Sequence, residues 1–301
     1  MTGTRARLRP RPPRLALVLL LVALLAAPLG LAGDAPPWSD EQGGGEPTIV
    51  LLHGLGADRH VWDLVAPRLA KAHRVVRVEL PGHGASPALR TVSVKEAARA
   101  VDRALSGRRV EKAVIVGHSY GAWIALEGAV AKPKRTAAVV VLDMGSYTPA
   151  DSTRIASLET YLKERYPSLI RVIFETMSED RTEADSAVAL ALRVPADVLS
   201  AYFRDSWRTD LRPRIRDLTV PVHVIAASGT WPASQPWEVA RRHFGYETKG
   251  PVHGYRVENS GHLIMRDQPD TLVALIERIA AGVGAGAGAG SSGAGSAGPP
   301  R

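Results

Sequence analysis

Ser119 sits in Gly117-His118-Ser119-Tyr120-Gly121, a G-x-S-x-G that directly follows the apolar run Ala113–Val116 and leads into the helical pattern of Ala122–Leu126. A serine held between a buried strand and a helix can act as an exposed nucleophile. The turn is so tight that the flanking positions must be nearly free of side chain, and the helix N-terminus aims its partial positive charge at the same point. Five residues alone arise by chance in a chain with 28 glycines; the strand before and the helix after are what give them weight.

A serine nucleophile needs a base to take its proton and a third group to orient that base. Of the nine histidines, His262 lies in a Gly-His turn at the exit of a late strand, within Glu258-Asn259-Ser260-Gly261-His262-Leu263. It is the candidate base. For the acid, the chain order serine, acid, histidine leaves two candidates. Asp143 ends the run Ala137–Leu142, and Glu238 falls on a helix starting near Pro236, after a loop (Ala227–Gln235) that holds no carboxylate. Asp143 is preferred, with Glu238 as the alternative. An anionic tetrahedral intermediate also needs donors, and backbone N–H groups serve whatever their side chains. The turn His53-Gly54-Leu55-Gly56 after an apolar strand offers the N–H of Leu55, to pair with that of Tyr120 beside the nucleophile. The other histidines nearby have plainer readings: His53 supports its loop, His118 packs beneath the elbow and His83 lies in the loop Pro81-Gly82-His83-Gly84.

The elements that must position these residues alternate along the body. Strand-like runs at Thr48–Leu52, Arg74–Leu80, Ala113–Val116, Ala137–Leu142, Val222–Ala226 and Val252–Val257 are separated by amphipathic stretches such as Val61–Lys71, Val94–Leu105 and Ala122–Ala131. Apolar strands joined by helix-length crossovers predict a mostly parallel sheet with helices on both faces. A last helix is expected over Asp270–Ala281. Between Ser146 and Leu218 the rhythm breaks: helical segments at Ile155–Arg165, Ser168–Met177, Asp185–Leu192 and Pro195–Trp207 follow one another with no strand. That interval, residues 146–218, is expected to be a helical cap over the carboxyl edge of the sheet.

The two ends differ from the body. Residues 1–14 hold five arginines and no acid, followed by the 13-residue apolar run Leu15–Ala27 and a small-residue exit at Gly30 and Ala32. Residues 1–33 therefore read as a secretory signal with a cut after Ala32. The alternative is an uncleaved membrane anchor over residues 15–31, near the lower length limit for a span. Either way the protein is expected to be exported, periplasmic or secreted. Five of the 38 basic residues and none of the 30 acidic ones precede Asp34, leaving 33 against 30 for the remainder. The basic character is thus largely the leader's, and nucleic-acid binding is not expected. Residues 282–301, almost wholly Gly, Ala and Ser, read as a flexible tail. The folded domain is placed at 46–281. There is no cysteine, so the core must stabilise the fold without disulfides.

With these pieces in order, H-G-L-G (53–56), E-L-P-G-H-G-A-S (79–86), G-H-S-Y-G (117–121), V-L-D-M-G (141–145), V-P-V-H-V-I-A (220–226) and S-G-H (260–262), the chain resembles the α/β-hydrolase family over about residues 47–281. The resemblance implies an eight-stranded fold with a helical lid after the sixth strand and a Ser-His-acid triad, in enzymes that mostly cleave esters, amides or lactones. Two departures are visible. The usual acid position, around Thr230-Trp231, lacks Asp, although some members carry the acid where Asp143 stands. Only 14 residues separate Gly33 from Thr48, too few for the usual first two strands, so about six strands are expected and the N-terminal hairpin is absent.

The expected chemistry is serine-dependent hydrolysis of an ester or related acyl substrate through an acyl-enzyme, without metal or organic cofactor. Acyl transfer or perhydrolysis on the same site, and a non-catalytic ligand-binding protein, are the alternatives. Serine in the elbow, where an aspartate would be needed, argues against dehalogenase or epoxide-hydrolase chemistry. The expected partner is a small acyl compound, with membrane attachment only through the N-terminal segment; substrate identity and oligomeric state are not legible. Trp231 and Trp237 are candidates for the pocket entrance.

Overall fold

The computed structural model describes residues 35–148 and 151–288; the expected signal or anchor (1–33) and the end of the expected tail lie outside the described residues. Strands β1 (Ser39–Gln42), β2 (Thr48–Leu52), β3 (Val75–Val78), β4 (Ala113–His118), β5 (Thr136–Leu142), β6 (Val222–Ala227) and β7 (Val252–Val257) form one sheet in the order β1-β3-β2-β4-β5-β6-β7. Every pairing is parallel except β1 with β3.

Strands β2 to β7 coincide with the six apolar runs. The additional strand, β1, reads Ser-Asp-Glu-Gln and carries no apolar signal. Charge holds it in place: Asp40 takes both Nε and Nη2 of Arg77 at 2.9 and 2.6 Å, and Glu41 pairs with Arg74 at 2.7 Å. A polar strand on a sheet edge needs only its ladder and such pairs, which is why periodicity cannot reveal it.

The helices are α1 (Ala66–Leu69), α2 (Val94–Gly107), α3 (Tyr120–Ala131), α4 (Ser152–Glu164), α5 (Tyr166–Phe174), α6 (Arg181–Ala191), α7 (Ala196–Ser206), α8 (Arg212–Ile215), α9 (Trp237–His243), α10 (Ile264–Asp267) and α11 (Pro269–Gly288). Both faces of the sheet are covered. One core joins Val101 of α2 and Trp123 and Ile124 of α3 to Val139 and Val224; the other joins Leu69 and Ile276 to Val140 and Ile225. Helix α3 is apolar almost all round and is buried accordingly. Ser93 caps α2, its side chain accepting from the Glu96 N–H at 3.2 Å in the S-x-x-E spacing of a capping box.

Helices α4 to α8 lie between β5 and β6 and hold a small core of their own, including Ile170, Phe174, Leu199 and Phe203. Helix α11 corrects one expectation: it continues past Ala281 through residues 282–288, which composition placed in the flexible tail. No single helix among the described residues is long and apolar enough to cross a membrane.

Candidate active site

The strand-to-helix turn after β4 holds Ser119 at φ 52° and ψ −123°, a left-handed conformation that costs a non-glycine residue energy unless its surroundings enforce it. Here they do. The Ser119 N–H donates to Leu142 O at 3.1 Å, and its carbonyl accepts from Ala122 at 2.9 Å. The flanking glycines are obligatory. A Cβ on Gly117 would stand 2.3 Å from Gly121 O, and one on Gly121 would stand 2.4 Å from His53 O.

His262 lies in the loop between β7 and α10, and Asp143 at the end of β5. His262 Nδ1 is 2.8 Å from Asp143 Oδ2. The carboxylate is 3% exposed and the imidazole 22%. Asp143 also has a positive φ of 49° and is secured on all sides: its N–H donates to Ile225 O at 2.8 Å, its Oδ1 accepts from Ala227 N–H at 2.8 Å, and its Oδ2 accepts from Thr230 Oγ1 at 3.0 Å. Thr230 stands in the carboxylate-free loop after β6. That loop contributes hydroxyl and amide donors to an acid from the preceding strand, a role no spacing rule signals.

Glu238 is elsewhere. It lies on α9 as expected, but is 66% exposed and paired with Arg241 at 3.1 Å. The alternative acid is therefore not beside His262.

The turn at 53–56 is clamped by two neutral histidines. His53 Nε2 accepts from Leu80 N–H at 2.9 Å while Nδ1 donates to Gly54 O at 2.8 Å. His83 Nε2 accepts from Gly56 N–H at 3.1 Å. Burial lowers the pKa of His53 to about 4 and that of His83, with help from nearby His53, to about 3. The E-L-P-G-H-G-A-S segment thus braces the turn that carries Leu55. Among the described residues, neither Leu55 N–H nor Tyr120 N–H donates to another protein atom.

Two further residues tie the site together: His118, expected to pack beneath the elbow, and Asp205, unassigned in the sequence. His118 Nε2 donates to the carbonyl of His262 at 3.0 Å, and the two rings lie 4.5 Å apart. Burial, with His262 close by, holds the pKa of His118 well below its usual value. Asp205 of α7 accepts from Tyr120 Oη at 2.6 Å and from Val94 N–H at 3.1 Å, tying the helical insertion to the elbow and to the start of α2.

Ser119, His262, Leu55 and Tyr120 all line one cavity of about 440 Å³. Its floor comes from the carboxyl ends of the strands and its roof from the inserted helices. Apolar side chains dominate the wall, among them Met144, Phe174, Leu190, Phe203 and Trp207. The insertion's aromatics therefore serve both as its core and as cavity wall. Trp231 and Trp237 do not reach it; their rings pack on each other at 5.1 Å, with Trp231 Nε1 bonded to Gln235 O. Charge enters the wall at Asp63 and at a pair, Arg266 of α10 held by both oxygens of Glu183 of α6 at 2.7 and 2.8 Å. Among the described residues no group of three or more His, Cys, Asp or Glu could hold a metal.

Known proteins match this architecture. A model of the alpha/beta hydrolase family matches residues 49–275, most of the chain. The chain belongs to the α/β-hydrolase family. The pimeloyl-[acyl-carrier protein] methyl ester esterase of Citrobacter koseri is 29% identical over 202 residues, covering 61% of this chain and 76% of that protein. The dihydrolipoyllysine-residue acetyltransferase component of the acetoin cleaving system of Cupriavidus necator is 37% identical over 102 residues. That match covers 34% of this chain and only 27% of the relative's length. Among solved structures, a thermophilic esterase from Thermogutta terrifontis superposes with a TM-score of 0.69 at 19% identity, over 84% of this chain and 97% of that one. The seven-stranded, mostly parallel sheet with helices on both faces is in keeping with that membership.

Proposed function

We infer that this α/β-hydrolase cleaves carboxylic esters through Ser119, His262 and Asp143. The observation that carries the reading is the 2.8 Å contact of buried Asp143 Oδ2 with Nδ1 of His262, a residue that lines the same cavity as Ser119. Similarity to an ester hydrolase along 61% of the chain supports the choice of bond.

In this reading Asp143 holds the Nδ1 proton of His262, leaving Nε2 as the acceptor for the Ser119 hydroxyl proton. Ser119 Oγ attacks the ester carbonyl carbon, and the negative charge passes to the carbonyl oxygen between the N–H groups of Leu55 and Tyr120. One such donor is worth about 3 kcal/mol of barrier. When the tetrahedral adduct collapses, the C–O bond to the alcohol breaks and His262 returns the proton to the leaving oxygen. Water then repeats the cycle on the acyl-serine, releasing the acid. The apolar wall suits an uncharged acyl group of moderate size, since ligand cavities span roughly 300–1,000 Å³.

A fluorophosphonate probe, followed by peptide mapping, tests the reading. Labelling at Ser119 that vanishes in Ser119→Ala, together with turnover of nitrophenyl esters graded by chain length, is expected. Folded protein that takes no label and turns over no ester would sink it.

A further inference from the structure

At the opposite end of the sheet a second cleft is built from residues that the esterase chemistry does not use. Parallel pairing sets His223 of β6 directly beside His253 of β7, so both side chains leave the same face. Their rings lie 4.9 Å apart and nearly parallel, at 22°. Tyr255, two residues along β7, continues the stack at 5.9 Å from His223, with its hydroxyl 3.1 Å from His223 Nδ1. From α11, the Arg278 guanidinium lies 5.0 Å above the Tyr255 ring. With Lys112 these residues line a cleft of about 460 Å³. The flanking Pro221 and Pro251 stand just before β6 and β7, so the cleft is at the amino ends of the strands, whereas Ser119 and His262 are at the carboxyl ends.

The composition of the cleft is unusual for its place. Further along this face the strands present Val140 and Ile225 to α11, so a histidine at 223 is a polar break in an apolar surface. Its burial, the neighbouring His253 and Arg278 together lower its pKa to about 4. The titratable groups lining the cleft are Lys112, His223, His253, Tyr255 and Arg278, and no carboxylate is among them. Five groups that are cationic, protonatable or hydrogen-bond donors converge without a counter-charge, an arrangement that a bound anion completes.

We propose that this cleft binds a small oxyanion, a phosphate or carboxylate group, with Arg278 and Lys112 supplying fixed charge and the ring N–H groups of His223 and His253 donating to it. Binding is then linked to protonation of His223: the anion favours its charged ring, so affinity rises as the pH falls toward 4.

The test is a histidine-ring NMR titration of the whole chain at pH 6, with the two resonances assigned from His223→Gln and His253→Gln. Inorganic phosphate and citrate are added in separate arms, each against sodium chloride of equal ionic strength. Saturable shifts at both rings, an upward move of the His223 midpoint when the pH titration is repeated with saturating anion, and at least tenfold weaker binding in Arg278→Gln and Lys112→Gln are expected. A response to phosphate alone assigns a phosphate ligand, to citrate alone a carboxylate, and to both the shared oxyanion chemistry. Shifts no larger than those in chloride, or shifts that persist undiminished in both Arg278→Gln and Lys112→Gln, overturn the proposal. Lys112 and Arg278 are exposed, so both variants should fold. Because the readout uses no turnover, it succeeds or fails independently of the esterase reading.

Discussion

His118 donates from Nε2 to the carbonyl oxygen of His262 at 3.0 Å, so a ring from the nucleophile's own turn fixes the backbone of the loop that presents the base. Its other nitrogen, Nδ1, is buried without a partner beside Gly54, where a Cβ would stand only 2.8 Å away. The ring is thus wedged between the turn carrying Leu55 and the loop carrying His262. It is a positioning residue. His118→Phe, which keeps the bulk and removes the donor, should lower kcat about fivefold with KM little changed, a loss in line with one buried hydrogen bond of about 1 kcal/mol. His118→Gln, which can still donate, should recover part of the rate. Equal loss in both variants, accompanied by a lower melting temperature, would reduce His118 to a packing role.

The two candidate acids make opposite predictions. Asp143→Asn keeps the shape but weakens the hold on His262 Nδ1, and should lower kcat by about 10³–10⁴-fold. Glu238→Gln removes only an exposed pair with Arg241, and kcat should stay within about twofold. Steady-state kinetics on one nitrophenyl ester decides between them. Thr230→Val, which deletes the third oxygen contact of Asp143, should fall between the two.

Glu183 neutralises the one guanidinium seen in the cavity wall, that of Arg266. Glu183→Gln frees that charge to meet a substrate. The ratio of kcat/KM for an ester with a terminal carboxylate on its acyl chain to that for the neutral ester of equal length should rise about tenfold, or about 1.4 kcal/mol. An unchanged ratio would mean that Arg266 does not reach the bound acyl chain.

Acid should unfold the protein through its buried rings. The folded-state pKa values of His53 and His83, about 4 and about 3, lie below the ordinary 6.5, so the unfolded chain binds protons that the folded one refuses. Their contribution is whole above pH 6.5 and is lost as the pH falls toward 4, at up to about 1.4 kcal/mol per pH unit for each ring. His118 and His223 act in the same direction. Urea unfolding at pH 7.5 and at pH 5 should differ by about 2 to 4 kcal/mol; equal midpoints would contradict neutral rings at these positions.

Much of the architecture was legible because it rests on local rules. The apolar runs became strands, most plainly β2, β4 and β5, since buried parallel strands are continuously apolar. The G-x-S-x-G turn was readable because glycine is the one residue that lets Gly121 approach His53 O and Gly117 approach Gly121 O. Strand β1 was not legible, because Asp40 and Glu41 are held by Arg77 and Arg74, partners that no periodicity identifies.

From residue types and order alone, the chain determined its family, the serine and histidine able to do the chemistry, and a choice between two carboxylates. Tertiary structure brings one of the two beside the histidine and leaves the other apart from it. Asp143 and His262 are 119 residues apart in sequence and 2.8 Å apart in space, while Glu238, nearer along the chain, faces solvent. It also supplied Thr230 to hold the acid, His118 to hold the base's backbone and Glu183 to hold Arg266. Each of these acts through a side-chain contact between distant segments, and such contacts exist only once the parallel sheet has brought the carboxyl ends of its strands together.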